Sequence, residues 1–185
     1  MTANWTMPGR ADARIRVEGR GRMQWTPRHR RIGNLLVAAQ FGLILVCLLP
    51  VGPTIGSGQL RALGLGCLVL AAVVGGLALL TLGSDTRVHP LPGAEATLRI
   101  NGIYAWIRHP MYAAVLLATL GVTLTSGRAL SLLAFLTLVV VLHVKADFED
   151  RMLQEKFGWQ FSVYASRVPA LVPQPWRTHA RRART

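Results

Sequence analysis

The sequence predicts an all-α, polytopic membrane protein with about four transmembrane helices, the last two forming a C-terminal helical hairpin, and a polar site on the cytoplasmic side. Three observations predict this. Just over half of the 185 residues (51%) are hydrophobic, and the mean hydropathy is +0.36. The apolar residues come in long uncharged runs. Lys and Arg gather between those runs and at the two ends, as membrane proteins distribute them. A net charge of +13 would suggest a nucleic-acid partner in a soluble chain, but this placement argues against one.

Residues 1–30 are polar, Arg-rich and interrupted by Gly and Pro, the composition of a disordered cytoplasmic tail. No short apolar core followed by a small-residue cleavage site marks a secretory signal. The first apolar run is Ile32–Pro50, "IGNLLVAAQFGLILVCLLP", and the second is Leu60–Leu82 with Arg61 near its start. Both reach the roughly 20 residues that a helix rising about 1.5 Å per residue needs to cross hydrocarbon. A third run spans Pro110–Ser126. A fourth spans Ala129–Val144 and continues as a polar helix through Phe157. These two are shorter, about 16 apolar residues each, and "TSGR" between them allows a tight turn, hence the hairpin. Ala38-xxx-Gly42 and Ala71-xxx-Gly75 are small-xxx-small pairs suited to close helix packing. Cys47 and Cys67 both lie in apolar runs and read as packing residues; neither a disulfide framework nor a metal site is expected.

An even number of spans puts both ends on one side. Arg61 and Arg128 then stand alone on the far side, leaving 19 of the 21 Lys and Arg, and all eight acids, with the termini. The positive-inside rule makes that side cytoplasmic.

The candidate chemistry lies in two cytoplasmic stretches. The first is "NGIYAWIRHPMY", residues 101–112. Pro110 suits the first turn of a helix, where its missing N–H is no loss. Arg108 and His109 therefore sit at a helix N-terminus, a place that favours an anion. On spacing alone, snorkelling of Arg108 to lipid phosphates, with Tyr104 and Trp106 as interface aromatics, is the favoured account of the stretch. The second is "HVKADFEDRMLQEKFGWQFSVYASRVPALVPQPW", residues 143–176. Lys145 and Glu149 stand one helical turn apart there, which allows a modest surface ion pair.

Taken together and in order, these residues resemble the isoprenylcysteine carboxyl methyltransferase family and its relatives, the phospholipid N-methyltransferases. The resemblance is carried by Gly102 and Tyr104, then Arg108-His109-Pro110-Met111-Tyr112, the hairpin, Glu149-Asp150-Arg151-Met152-Leu153, Phe157-Gly158, Tyr164, Val168-Pro169 and Pro173, over roughly residues 88–176. It divides the chain into a basic tail (1–30), two transmembrane helices (31–83), a methyltransferase core of loop, hairpin and C-terminal segment (84–176), and a short basic tail (177–185).

The resemblance implies an integral membrane enzyme of the inner or plasma membrane, dependent on S-adenosylmethionine and acting on a lipophilic, prenylated substrate. It implies that His109, Pro110, Met111, Tyr112, Tyr104, Gly102, Glu149 and Asp150 contact the cofactor, with Ala96, Thr97, Leu98 and Arg99 lining the same pocket. His109 and Arg108 stand as the catalytic pair, and Lys145 as the residue at the substrate end. Departures are Asp150 for a second Glu, Phe161 where Tyr is common, and Lys145 where a planar Arg would recognise a carboxylate with two prongs. Phospholipid amine or small-thiol methylation remains open. So do a sterol-reductase-like oxidoreductase and a non-catalytic protein whose basic tails bind anionic lipid.

Overall fold

The computed structural model describes residues 14–15, 25–54, 58–82 and 98–173. The described residues are almost wholly helical, as expected. In chain order they form β1 (Arg14–Ile15), α1 (Pro27–Leu48), α2 (Gly58–Leu82), β2 (Leu98–Arg99), a single 3₁₀ turn (Gly102–Ala105), α3 (Pro110–Ser126), α4 (Ala129–Phe157) and α5 (Trp159–Arg167). β1 and β2 pair antiparallel, Arg14 with Arg99 and Ile15 with Leu98, a contact the sequence did not foretell. The remainder of both tails and of the loop between α2 and β2 lies outside the described residues.

The tail expected through residue 30 ends sooner. α1 begins at Pro27, where Thr26 accepts from the His29 backbone N–H at 3.4 Å and Pro fills the first helical position. Its last residue, Leu48, lies just before Pro50, which disfavours helix in the residue that precedes it. Among the described residues, three helices are long and apolar enough to cross a membrane: α1, α2 and α4. α3, at 17 residues, is shorter, so the structure supports three full-length spans and one shorter apolar helix.

Gly127 closes α3 in the left-handed conformation (φ 61°), which glycine adopts without a Cβ penalty, and only Arg128 separates it from α4. On the same far face Arg128 donates to the Gly52 carbonyl at 3.2 Å, tying the α1–α2 connection to the hairpin turn. α4 has 29 residues, about 43 Å at the usual rise, so its last turns extend beyond a hydrocarbon layer of about 30 Å. Those last turns carry the acids. Gly158, at φ 57°, breaks the helix and lets α5 fold back.

The bundle is built from two close helix pairs. α2 and α3 touch backbone to backbone. A Cβ on Gly64 would lie 2.8 Å from the Gly121 carbonyl oxygen, and one on Gly121 would lie 2.7 Å from Leu68 Cγ. Neither glycine belongs to the small-xxx-small pairs noted in the sequence. Of those pairs, Gly75 makes an ordinary contact with Ala114 and Gly42 faces open space. Gly64→Val is therefore expected to lower the thermal midpoint in detergent by the amount that about 1–3 kcal/mol of overpacking produces, whereas Gly42→Ala should leave it unmoved. Equal midpoints for the two variants would show that the α2–α3 contact is not close.

α1 packs on α4 through contacts along its length. At the far end Ser131 Oγ donates to the Cys47 carbonyl at 3.0 Å. In the middle Lys145 Nζ donates to Gln40 Oε1 at 2.6 Å. At the near end the His29 and Phe148 rings meet edge to face.

Candidate active site

The N-terminus of α3, the last turns of α4 and the segment after α5 converge on one polar cluster. Arg108 ties them together. Its guanidinium donates to Asp150 Oδ2 at 2.7 Å, to the Ala165 carbonyl at 2.9 Å and to the Val168 carbonyl at 2.5 Å. The backbone N–H groups of Arg108 and His109 donate to the Pro169 and Ala170 carbonyls, each at 2.9 Å. A planar fork with several N–H donors suits this three-way junction, and a lysine would not.

This corrects one expectation. Arg108 and the first turn of α3 were read as a place to receive a ligand's anion. The anion that stands there is the protein's own Asp150, which Arg108 and His109 hold together. Arg108 thus clasps α3, α4 and the segment after α5 together.

His109 is 7% exposed and lies between both acids. Its Nε2 is 2.9 Å from Asp150 Oδ1, and its Nδ1 is 3.6 Å from Glu149 Oε2. Its ring stacks on Tyr112 at 5.3 Å with the planes 6° apart. Tyr112 in turn donates its hydroxyl to Glu149 Oε2 at 2.7 Å. His109, which caps α3, Tyr112 in its first turn and Glu149 on α4 thus form one connected wall. Lys145 stands above the Tyr112 ring, its Nζ 4.9 Å from the centroid. It is 1% exposed, so its setting is buried rather than the surface that spacing allowed.

The remaining expected residues divide. Tyr104, in the 3₁₀ turn, lies close enough to Glu149 and Arg99 to feel both charges. Burial and the Glu149 charge push its hydroxyl up to about 12 against the pull of Arg99, so it stays a neutral donor at neutral pH. Tyr164 braces that turn by donating to the Tyr104 carbonyl at 2.7 Å, and burial raises its hydroxyl strongly. Pro110 is fully buried at the start of α3, and Met111 beside it is half-buried. Gly102 opens the 3₁₀ turn. It adopts φ 56°, and a Cβ there would lie 2.7 Å from Thr81 Oγ1 at the end of α2. Leu98 is a core residue, packed with Phe157 and Phe161. Ala96 and Thr97 lie outside the described residues.

Two residues escaped the sequence reading. Asn101 precedes the 3₁₀ turn with its Oδ1 buried and lacking a hydrogen-bond partner. Gln40 was passed over inside an uncharged run, where a single amide among some 20 apolar residues was the available signal.

The family model described as "Phospholipid methyltransferase" matches residues 60–160, more than half of the chain and all of the cluster up to α5. The chain belongs to the phospholipid methyltransferase family. The chain is 32% identical over 115 residues to "Protein-S-isoprenylcysteine O-methyltransferase B" of Arabidopsis thaliana, a match covering 60% of this chain and 57% of the relative. The chain thus spans little more than half the length of the relative it matches. Its fold is that of a eukaryotic intramembrane Ras methyltransferase, isoprenylcysteine carboxyl methyltransferase, with a TM-score of 0.54 at 21% identity over 82% of this chain and 54% of that one. The resemblance carried by the Arg-His-Pro and paired-acid motifs is therefore shown by family, relative and fold alike.

Proposed function

We propose that the chain is an S-adenosylmethionine-dependent methyltransferase that esterifies the carboxylate of a lipophilic, prenylcysteine-like acceptor. The single observation that favours this nucleophile is that each acid and the imidazole of the cluster already has a partner within it. His109 and Asp150 hold each other, Asp150 also takes Arg108, and Glu149 takes the Tyr112 hydroxyl. An amine must shed a proton before it attacks, whereas a carboxylate is already ionised at neutral pH. The family model's name speaks for a lipid amine as the second reading.

The residues present fit the cofactor. Glu149 faces Tyr112 and lies near Tyr104, an acid flanked by aromatic faces, which suits an ammonium and a sulfonium together. The buried Asn101 oxygen calls for a donor, and the cofactor's amino groups supply donors. Arg99, near Tyr104, is the cation for its carboxylate, in place of Arg108. When bound, S-adenosylmethionine supplies an electrophilic methyl carbon on a sulfonium. Lys145, one turn before Glu149 on α4, receives and aims the acceptor's carboxylate. The apolar bundle around it keeps water out, which favours reaction between opposite charges. The split of basic residues puts this site and both ends on the cytoplasmic face.

Equilibrium binding of radiolabelled S-adenosylmethionine to the purified protein tests this reading. Saturable binding displaced by S-adenosylhomocysteine is expected. No binding at near-millimolar ligand, or displacement by a nicotinamide dinucleotide instead, would sink it.

A further inference from the structure

α1 reads in the sequence as a transmembrane helix with one small-xxx-small pair, Ala38-xxx-Gly42, and no functional residue. The structure places one buried polar side chain in its middle, Gln40, which is 6% exposed. An amide inside an apolar span costs free energy unless it is hydrogen-bonded, and polar groups at such depth generally mark function. The Gln40 Oε1 accepts from Lys145 Nζ at 2.6 Å, a bond between residues 105 positions apart. The same ammonium stands 4.9 Å from the Tyr112 ring centroid. It is therefore gripped from three helices: its own α4, α1 through Gln40, and α3 through Tyr112.

A lysine is a point charge on a flexible four-carbon stem, unlike the planar fork of an arginine, so its aim depends on what surrounds it. Gln40 fixes one of its three donors in direction. It does so with a neutral oxygen, which orients the ammonium without adding a negative charge. A Glu at position 40 would orient the ammonium equally but would neutralise it. Tyr112 is the shared member: its ring supports Lys145 and its hydroxyl holds Glu149, so the lysine and the acid are set relative to each other.

We propose that Gln40 is a specificity-determining positioning residue. By fixing the Lys145 ammonium over Tyr112, it lets the site select an acceptor bearing a free carboxylate over its neutral counterpart. The proposal rests on the reading above that Lys145 meets the acceptor, and it makes α1 part of the functional unit.

The test measures binding of N-acetyl-S-farnesylcysteine and of its methyl ester to the full chain in detergent, with S-adenosylmethionine affinity measured in parallel. The parent should bind the acid more tightly than the ester. Gln40→Leu should weaken the acid about tenfold and leave the ester unchanged, the effect of one hydrogen bond to a charged group. Gln40→Glu is isosteric with the parent and carries the test should the Leu variant fail to fold. It should abolish the preference for acid. S-adenosylmethionine affinity should stay within about twofold in both, since Glu149 is untouched. A purely structural role for Gln40 predicts equal loss for acid and ester. If both Gln40 variants keep the parent's acid-to-ester ratio while Lys145→Met removes it, the proposal is overturned and the role of Lys145 stands. If Lys145→Met also keeps the ratio, both fall, and cofactor binding alone still judges the methyltransferase reading.

Discussion

Glu149→Gln is expected to weaken binding of S-adenosylmethionine by about ten- to a hundredfold, the effect of losing a charged hydrogen-bond partner worth roughly 1.5–3 kcal/mol. The substitution preserves shape and an acceptor for the Tyr112 hydroxyl, now 2.7 Å from the acid, so the wall of the site remains standing. What disappears is the charge that we propose faces the cofactor's ammonium. Lys145→Ala should leave cofactor affinity nearly unchanged and weaken a carboxylate acceptor instead. His109→Ala should damage both affinity and turnover, because its ring stacks on Tyr112 and its two nitrogens face both acids. Calorimetric titration of the cofactor into the three variants in detergent reads these effects. A Glu149→Gln protein that binds as tightly as the parent would remove Glu149 from the site.

Arg108→Ala should be the most destabilising substitution in the cluster. The guanidinium and the Asp150 carboxylate are only 15% and 17% exposed, so truncation leaves an acid with little water to replace its partner. Breaking such a buried pair costs about 3–5 kcal/mol, and here the carbonyls of Ala165 and Val168 lose their donor as well. The expected result is a large fall in thermal midpoint and in recovered folded protein. Arg108→Lys should fall between parent and Ala, since one ammonium cannot span the carboxylate and two carbonyls together. Asp150→Asn combined with Arg108→Ala should cost much less than the two single effects added, because each removes the same interaction. Additive losses would show that Arg108 and Asp150 act separately, contrary to the clasp.

Much of the scaffold was legible in the sequence because its signals are local. Uncharged runs gave α1, α2 and the hairpin, and Pro110 and the Gly127 and Gly158 turns marked where helices start and stop. The near-continuous α4, from the membrane into the acidic segment, could be read from the apolar run and the helix-forming residues that follow it. What was not legible depends on long-range placement. Nothing in the "NGIYAWIRHP" stretch says that Arg108 reaches 42 residues ahead to Asp150 and then to the carbonyls after α5, so it was read as facing a ligand. Leu98 carried a role by resemblance, yet its packing on Phe157 and Phe161 depends on how α5 folds back. Gln40 was invisible for the same reason: a single amide in α1 has no meaning until α4 brings Lys145 beside it. The tight α2–α3 contact also depends on two glycines from different helices meeting, which spacing within either helix does not reveal.

The most direct test of the central claim is the chemical nature of the product. Purified protein is incubated with S-adenosylmethionine tritiated in the methyl group and with N-acetyl-S-farnesylcysteine, phosphatidylethanolamine or an aliphatic thiol as acceptor. The products are then treated with mild alkali, which frees methanol from a methyl ester but leaves methylamines and thioethers intact. The account predicts volatile, alkali-released tritium from the farnesylcysteine reaction, lost in Glu149→Gln. Label that appears only in alkali-stable product, or no transfer to any acceptor by protein that is folded, would contradict it.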